Sequence, residues 1–348
     1  LMPGEGRSSA YDYLLNTVEK EKGIYRKWSD AVKPFTFDAQ MSYFDMVVPT
    51  IDTTRFSYFV ETLLRKKSPV FLTGTTGTGK TAIMSSLLTK MYKTPEEIEN
   101  SFSSAFMIIN FSAQTSSLIT QETIEGSLER KKKTLLGPPR GQNIMTVFVD
   151  DVNMPEVEEY GAQAPIELLR QLIDSKGFFE REEWMWRDIQ DTVVCACAAP
   201  PGGGRSVITA RFVRHFNVMC IPDSSEAVMK QIFAAILSNF LETFEFTIDV
   251  KLLSEGLINA TVDLYTRICE ELLPTPKKIH YQFNLRDVSK VFQGILMIRA
   301  KECKESITMA RLWLHEASRV FADRLVNTED TEWFRNLSTE MLKRHIGG

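Results

Sequence analysis

Five short runs of apolar and β-branched residues lie within the first 222 residues, separated by stretches with helical spacing. Near-continuous apolar runs, as opposed to alternating ones, are typical of strands that are buried on both faces of a sheet. Such strands, alternating with helices, predict a three-layer α/β/α domain around a five-stranded parallel sheet. The runs are SPVFLTG (68–74), AFMIINFS (105–112), IMTVFVDD (144–151), DTVVCACAAP (191–200) and HFNVMCIP (215–222).

The pattern changes after Pro222, where apolar positions recur every three or four residues to about residue 325 and no run indicates a strand. This spacing predicts an all-helical second part. LLPTPKK (272–278) is expected to be a Pro-marked loop between two of its helices. Residues 1–45 mix short helical patterns with aromatic residues and indicate an arm that leads into the core.

Four segments follow from these changes of pattern. We predict an N-terminal arm or linker over 1–40, a large α/β subdomain over 41–222, a small helical subdomain over 223–326 and a C-terminal helical tail or linker over 327–348. The chain opens on Leu1 in place of Met, which predicts a piece of a longer protein.

Composition and charge narrow the possible partners. The 43% hydrophobic and 25% charged residues are those of an ordinary globular protein. A net charge of −4 argues against a general nucleic-acid surface, which is normally basic. No secretory pattern opens the chain, and no apolar run approaches the roughly 20 residues of a membrane helix. The basic run ERKKKT (129–134) is interpreted as a solvated helix end.

The five cysteines show no CxxC spacing. Cys195 and Cys197 are two residues apart in an apolar run, so both are expected to face one side of a strand. We interpret the cysteines as reduced core thiols, with a metal site as the alternative.

A glycine-rich loop carries the clearest chemistry. GTTGTGKT, Gly74 to Thr81, follows an apolar strand and precedes a helical run, which is the setting that a phosphate-binding loop requires. Its glycines allow backbone N–H groups to point at phosphate oxygens, and the helix adds its positive end. Lys80 is expected to reach the β- and γ-phosphates and the Thr81 hydroxyl to ligate Mg²⁺. The stretch GTGKTA lacks the last glycine of a dinucleotide fingerprint. The residues predicted to bind nucleotide here are Thr76, Gly77, Thr78, Gly79, Lys80, Thr81 and Ala82.

An acidic pair ends the third apolar run, in VFVDDVNMP (147–155). Asp150 is predicted to hold Mg²⁺ through water beside the phosphates. Asp151 occupies the position of an acid that polarises the attacking water. Two acids that simply end a strand in a loop are the alternative interpretation.

Seven motifs accompany the phosphate loop along the chain: VVPTIDTTRFSYFVETLL (47–64), NFSAQTSS (110–117), FVDDVNMP (148–155), YGAQAPIELLRQLID (160–174), APPGGGRSVITARFVRHFNV (199–218), FNLRDVSKVFQGIL (283–296) and WLHEASRVFADRLV (313–326). With these motifs the chain resembles the AAA+ ATPases, and among them the dynein heavy chain. The likeness is greatest to the third of the six ring modules of axonemal dyneins. The resemblance implies a large α/β subdomain followed by a helical lid, with ATP or ADP and Mg²⁺ between them.

The resemblance implies roles for residues outside the phosphate loop. Val48 and Pro49 match the segment that lines an adenine pocket. Asn110 matches the polar residue that can restrain the catalytic acid, with a capping or turn asparagine as the alternative. These three positions therefore join the predicted nucleotide site.

Two arginines match catalytic positions of the family. Arg214 matches an arginine finger that serves the preceding module of the ring, a contact that can be worth about 10³–10⁵ in rate. Arg211 is the nearby competitor, and a surface salt bridge is the alternative for either. Arg286 matches the second sensor, which touches the γ-phosphate; a helix-start arginine paired with Asp287 is its alternative.

Two positions depart from the family pattern. The acid is usually glutamate, and the carboxylate of Asp151 is one methylene, roughly 1.5 Å, nearer the backbone. A polar sensor, commonly asparagine, stands before Pro-Pro in related modules, but here the residue is Ala199, which cannot hydrogen-bond through its side chain. The residues that bind Mg-nucleotide, Lys80, Thr81 and Asp150, are all present. The two positions that assist the attack of water, Asp151 and Ala199, are altered, so slow intrinsic hydrolysis is expected.

Two functions remain open: an ATP-hydrolysing module of a motor ring, and a regulatory nucleotide-binding module that does not hydrolyse. A ring ATPase acting on nucleic acid or unfolded protein is disfavoured by the acidic balance and the lack of a matching motif. The expected partners are neighbouring modules of the same heavy chain, with microtubules reached only through the full motor. Nucleic acid and membrane are not expected partners, and the isolated fragment is predicted to be a monomer. The resemblance implies a place in the cytoplasm and cytoskeleton, at the axoneme of the cilium.

Overall fold

The computed structural model describes residues 9–15, 25–93 and 102–347, which form two compact units. The first unit takes the described part of residues 1–31 together with 51–223, and the second takes 32–50 with 224–348. The segment boundaries at 40, 222 and 326 stay predictions.

The predicted N-terminal arm falls partly on residues 1–8 and 16–24, which lie outside the described residues. Its described part contains two short antiparallel strands, β1 (Tyr13–Leu15) and β2 (Tyr25–Lys27). The helical patterns expected there are wrong for Tyr13–Leu15 and Tyr25–Lys27, because backbone pairing between the two segments decides their conformation. Short 3₁₀ helices are present beside them, at Ala10–Asp12 and Trp28–Ala31.

The rest of the first unit alternates strands and helices. Its elements are α1 (Ile51–Arg65), β3 (Val70–Thr73), α2 (Lys80–Met91), β4 (Ser104–Asn110), α3 (Ser117–Gly126), β5 (Glu129–Lys132), β6 (Leu135–Gly137), β7 (Ile144–Asp150), α4 (Ala164–Ser175), β8 (Gly177–Phe179), β9 (Trp186–Ile189), β10 (Thr192–Ala198), α5 (Ala210–Val213) and β11 (Asn217–Cys220).

The predicted five-stranded parallel sheet is confirmed, with strand order β11-β3-β10-β7-β4. Cys195 and Cys197 of β10 pack in the core on one face, and Val194 and Ala196 pack in the core on the other. Burial on both faces explains the continuous apolar runs of the inner strands β3, β10 and β7. The burial expected for the run that forms the edge strand β11 is wrong, because most of its residues are exposed. Because parallel strands end at one edge, the loops after β3, β7 and β10 emerge side by side, where ligands bind in such sheets. Cys220 is exposed, so its interpretation as a core thiol is wrong.

A second sheet, of order β5-β6-β9-β8, was not expected from the sequence. The ERKKKT run lies in it: residues 129–132 form strand β5, antiparallel to β6, and the helix end predicted there is wrong. Its basic side chains are exposed, as solvation of the run implied, but hydrogen bonds to β6 make the segment a strand. The context of a polar strand decides its conformation more than its composition does.

The second unit is helical, as predicted, with no strand beyond an isolated bridge in the part of residues 224–347 that the structure describes. The loop predicted at 272–278 is confirmed between two of the helices. Helix α10 lies in the range predicted as a tail and buries Phe334, Leu337 and Met341 in the core of the unit. Among the described residues, no helix is both long and apolar enough to cross a membrane. The helices are α6 (Glu226–Thr243), α7 (Ile248–Glu271), α8 (Leu285–Ile295), α9 (Ser306–Ala317) and α10 (Thr328–His345).

Candidate nucleotide-binding site

The glycine-rich loop runs from the end of β3 to the start of α2 and has no room for a side chain at its first residue. A Cβ added to Gly74 would lie 2.5 Å from the backbone oxygen of Ile221, just beyond β11. Gly79, which caps α2, has a φ of +83°, a left-handed conformation that glycine adopts without a steric penalty. The two glycines therefore let the backbone turn tightly and lead into the helix N-terminus.

We expect Gly74→Ala to destabilise the protein by about 1–3 kcal/mol, because the atom that its methyl group meets is backbone and cannot rotate away. Urea denaturation measures this change. Gly126→Ala is the matched control: nothing lies within 4 Å of its added Cβ, and it ends helix α3. The control is expected to be neutral or slightly stabilising. Equal stability of the two variants would contradict the close approach.

The loop is also tied to the end of the first unit. The Thr75 hydroxyl donates a hydrogen bond to the carboxylate of Asp223, and Asp223 is the last residue of that unit. The phosphate loop is thus held at Gly74 by packing and at Thr75 by a hydrogen bond.

Lys80 is the buried cation of the loop, with only 7% of its surface exposed. Its Nζ donates to the backbone oxygens of Gly74 at 2.9 Å and Thr75 at 2.7 Å. A buried ammonium group must be hydrogen-bonded, and these carbonyl groups supply part of that need. Phosphate oxygens are stronger acceptors for the same protons because they are charged. Lys80 is thereby placed inside the cradle that the sequence predicted for the phosphates.

The magnesium ligands predicted from the sequence meet at the sheet edge. The Thr81 hydroxyl donates to Oδ2 of Asp150 at 2.6 Å, across 69 residues of sequence. A hydroxyl and a carboxylate are oxygen ligands of the kind that Mg²⁺ takes, together with water and phosphate oxygens. In the described ranges no group of three His, Cys, Asp or Glu side chains could hold a metal ion. Thr81 and Asp150 supply two oxygen ligands of the octahedral set of Mg²⁺, so this pair fits a metal whose other ligands are water and the phosphate oxygens of a nucleotide.

Cys197 contacts the other carboxylate oxygen of Asp150. The sequence did not connect this cysteine with the nucleotide site. Cys197 Sγ donates to Asp150 Oδ1 at 2.6 Å, and the same oxygen accepts the Asp151 N–H at 2.9 Å. Burial, with the charge of Asp150 second, raises the pKa of the Cys197 thiol well above its ordinary value. Burial also raises the pKa of Cys195, to about 12. Both thiols therefore stay protonated, and Cys197 acts as a donor that orients Asp150.

Asp151 has an unusual backbone, with a φ of +49°. Aspartate tolerates this left-handed region better than most residues do. Its carboxylate, 42% exposed, lies 3.7 Å from Nη2 of Arg205, a residue that the sequence analysis did not single out. The sequence signal for Arg205 is its position as the first charged residue after β10, directly following the Pro-Pro-Gly-Gly-Gly stretch that comes after Ala199.

The two other positions near the acid behave differently. Asn110 ends β4 opposite Asp150 in the register, but its exposed side chain has no hydrogen bond within the described residues. The structure therefore brings Asn110 to the sheet edge without joining it to Asp151. Ala199 is buried, and its backbone oxygen accepts a hydrogen bond of 2.8 Å from the amide of Asn153.

The two candidate finger arginines are distinguished by their partners. Arg211 forms an ion pair of 2.6 Å with Glu167. Burial alone would raise the pKa of Glu167, but hydrogen bonds from Arg170 and Arg211 bring it below its ordinary value. Arg214 is exposed, and its Nε lies 3.4 Å from Nε2 of His215, with no carboxylate partner in the part of the chain that is described. The salt-bridge alternative therefore applies to Arg211 and not to Arg214.

Three predicted site residues belong to the second unit. Val48 is buried and Pro49 is half-buried. Arg286, the second residue of α8, is exposed. Its alternative role as the partner of Asp287 is wrong, because Asp287 pairs with Arg324 at 2.8 Å and with Lys290.

The electrostatics of Asp287 show how that carboxylate is satisfied. Burial by itself would raise the pKa of Asp287. The Arg324 guanidinium and the backbone N–H of Asn284 outweigh burial and hold that pKa below its ordinary value. Asp287 thus stays charged inside the capping box that begins α8.

Comparison with known proteins agrees with this geometry. A family model described as the P-loop containing dynein motor region matches residues 35–224, and a model of the AAA+ lid domain matches residues 257–347. Human dynein axonemal heavy chain 6 is 46% identical over 320 residues, which are 92% of this chain and 8% of that protein. Mouse dynein axonemal heavy chain 1 is 40% identical over 343 residues, which are 95% of this chain and 8% of the mouse protein.

A third relative, rat dynein axonemal heavy chain 12, is 36% identical over 345 residues, or 99% of this chain and 11% of that protein. The chain thus spans between 8% and 11% of the length of these three relatives. The model of the P-loop region covers more than half of the chain and ends at residue 224, where the helical unit begins. The chain therefore belongs to the family of P-loop dynein motor regions, within the AAA+ ATPases.

Proposed function

We propose that this chain is a Mg-nucleotide-binding AAA+ module of the motor ring of an axonemal dynein heavy chain, with slow intrinsic ATP hydrolysis. One observation carries the binding part: Thr81 and Asp150 are joined at 2.6 Å beside the buried Lys80. A metal ligand pair and a phosphate-binding cation are thus assembled within one loop and one strand end. When bound, Mg²⁺ supplies charge neutralisation for the phosphate oxygens.

Slow hydrolysis is proposed because the groups that handle water are weakened. A general base contributes about 10²–10⁴-fold through hydrogen-bond reach. Asp151 has a short side chain that is paired with Arg205, and Ala199 offers no polar side chain. The chain's own residues would therefore hold a nucleotide better than they activate water.

The wider role follows from the names of the relatives, which are axonemal dynein heavy chains. We place this module in a ring with neighbouring modules of the same heavy chain, at the ciliary axoneme. There its nucleotide state would be coupled to conformational changes, and microtubules would be reached only through the whole motor. Arg214, exposed and without a carboxylate partner in the described part, is proposed as the finger for the preceding module.

A purely regulatory module is the second candidate. In that case the nucleotide shifts a conformational equilibrium only by its different affinity for two states. The same contrast favours it: Lys80, Thr81 and Asp150 are assembled, whereas Asp151 is engaged in an ion pair. The two candidates differ in whether phosphate is released.

Nucleotide binding and phosphate release, measured on the same sample, test this proposal. We expect Mg-ATP to bind and phosphate release to stay well below one per second, on the scale of typical turnover of about 10 per second. Asp151→Glu is expected to raise the rate by no more than about tenfold, because longer reach helps a base and the left-handed backbone disfavours glutamate. Release near one per second from the unaltered chain would contradict slow hydrolysis, and no release from either form would favour the regulator.

Asp191→Glu is the matched control. Asp191 also has a positive φ, of +53°, and also pairs with a cation, Lys67. It lies just before the start of β10, at the opposite edge of the parallel sheet from Asp151, which follows the end of β7. The control should share any cost of backbone strain and leave the rate unchanged. A similar rate gain in the control would show that the gain in Asp151→Glu does not come from reach toward water.

A further inference from the structure

Arg205 lies on the loop that follows β10, between the phosphate loop after β3 and the acidic pair at the end of β7. Strand β10 lies between β3, which leads to the phosphate loop, and β7, which ends at Asp150. The residues after β10 therefore leave the sheet between the phosphate loop and the acidic pair. This is the part of the site that lacks a polar sensor at Ala199.

The loop that carries Arg205 is held in place by backbone pairing. Gly202 and Arg205 exchange backbone hydrogen bonds of 3.1 and 3.2 Å, and Ser206 N donates to Asn153 O at 3.0 Å. The Asn153 amide in turn donates to Ala199 O at 2.8 Å. The segment after β7 and the segment after β10 are thus fastened to each other, and Arg205 is carried with them.

The arginine side chain is largely withdrawn from solvent. Only 22% of it is exposed, and its Nε is buried without a hydrogen-bond partner in the described residues. Its Nη2 lies 3.7 Å from Oδ1 of Asp151. The positive charge of the Arg205 guanidinium is thus paired with one carboxylate, that of Asp151. Asp151 is the acid that is expected to polarise water.

The other candidate for restraining the acid does not contact it. Asn110 has no side-chain hydrogen bond in the part of the chain that the structure describes. The left-handed backbone of Asp151 sets the direction of its Cα–Cβ bond, and the carboxylate can still rotate about that bond. Among the described residues, the side-chain contact of the acid is with one cation on the neighbouring loop, Arg205.

We propose that Arg205 is a positioning residue that restrains Asp151, drawing its carboxylate toward the loop after β10 and away from the attacking water. This proposal rests on the proposed nucleotide site, and it gives a structural reason for the slow ATP hydrolysis proposed there. Releasing the pair frees the carboxylate to accept a hydrogen bond from water. The ion pair is partly exposed, so its effect on rate is moderate.

The test compares Arg205→Gln with the unaltered chain at saturating Mg-ATP. Phosphate release is expected to rise about two- to fivefold, the range that a partly exposed ion pair provides, while the dissociation constant for nucleotide stays within about twofold. Arg205→Lys keeps the charge and is expected to keep the slow rate. Arg205→Met retains the apolar stem and is a second variant should Arg205→Gln fold poorly.

A double substitution separates restraint from a structural role. Asp151→Asn removes the charge and still tolerates a left-handed backbone. In that background Arg205→Gln is expected to change nothing further, because the pair is already absent. The matched control is Arg187→Gln, because Arg187 lies on β9 of the second sheet, is 25% exposed and pairs with Glu125 of α3 at 2.8 Å and with Glu180 at 3.7 Å. It is expected to leave both rate and affinity unchanged.

The outcomes separate the two proposals. An unchanged or lower rate in folded Arg205→Gln or Arg205→Met overturns the restraint by Arg205, as does an equal gain in Arg187→Gln or in the Asp151→Asn background. Failure of the unaltered chain to bind Mg-ATP overturns the proposed function instead. A rise confined to the Arg205 variants that lose the charge supports the restraint.

Discussion

Replacing Lys80 with alanine is expected to lower the affinity for Mg-ATP by at least about 100-fold. Its ammonium group is buried in the phosphate loop and already donates to two backbone oxygens there. Hydrogen bonds that involve a charged group are worth about 1.5–3 kcal/mol each, so losing two to phosphate removes more than a factor of 100. Calorimetric titration with ATP in the presence of Mg²⁺ measures the loss.

Lys90→Ala is the control for Lys80→Ala. Lys90 lies on the same helix, α2, but is exposed near its C-terminal end. Both variants lose one positive charge, so a general electrostatic effect would appear in both. Comparable losses of affinity in the two would place the nucleotide away from the phosphate loop and would contradict the site proposed above.

Trp313→Ala is expected to destabilise the helical unit by about 3–5 kcal/mol, as truncation of large core side chains does. Trp313 is fully buried, and its indole N–H donates to the Thr261 hydroxyl of α7 at 2.8 Å. The change leaves a cavity and removes the donor from a buried hydroxyl. Chemical denaturation followed by circular dichroism measures the loss.

Two further variants test the reason given for this loss. Leu252→Ala, on the exposed face of α7 where the leucine is 77% exposed, is expected to change stability by less than about 0.5 kcal/mol. Trp313→Phe keeps part of the buried area but lacks the N–H, so its stability should lie between the two alanine variants. If Trp313→Ala were no more harmful than Leu252→Ala, the packing described for the helical unit would be wrong.

The main sheet could be predicted from the sequence because its three inner strands, β3, β10 and β7, are buried on both faces, and the mostly exposed edge strand β11 still carries apolar residues. Inner strands of this kind appear in the sequence as continuous apolar runs, which can be recognised without knowing which strands pair with them. The second sheet has no such runs. Strand β5 is basic and exposed, and only pairing with β6 makes it a strand. A pattern along the chain therefore indicates elements that are defined by burial and misses those defined by a partner.

The candidate site divides in the same way. The motif around Lys80 and Thr81 is local, so the sequence alone indicated its chemistry. Cys197 contacts Asp150 at the end of another strand, and Arg205 contacts Asp151 in another loop, and no spacing along the chain reveals which strand ends and loops lie side by side. The positive φ of Asp151 was equally hidden, because a left-handed aspartate and an extended one read the same in a sequence.

The hydrogen bond between Thr75 and Asp223 links the phosphate loop directly to the last residue of the first unit. It joins residues 148 positions apart in the sequence, one inside the phosphate loop and the other at the end of the first unit. The peptide bond after Asp223 already belongs to the connection that leads to helix α6. Any movement of Thr75 therefore stretches or breaks a hydrogen bond at the residue where the first unit ends.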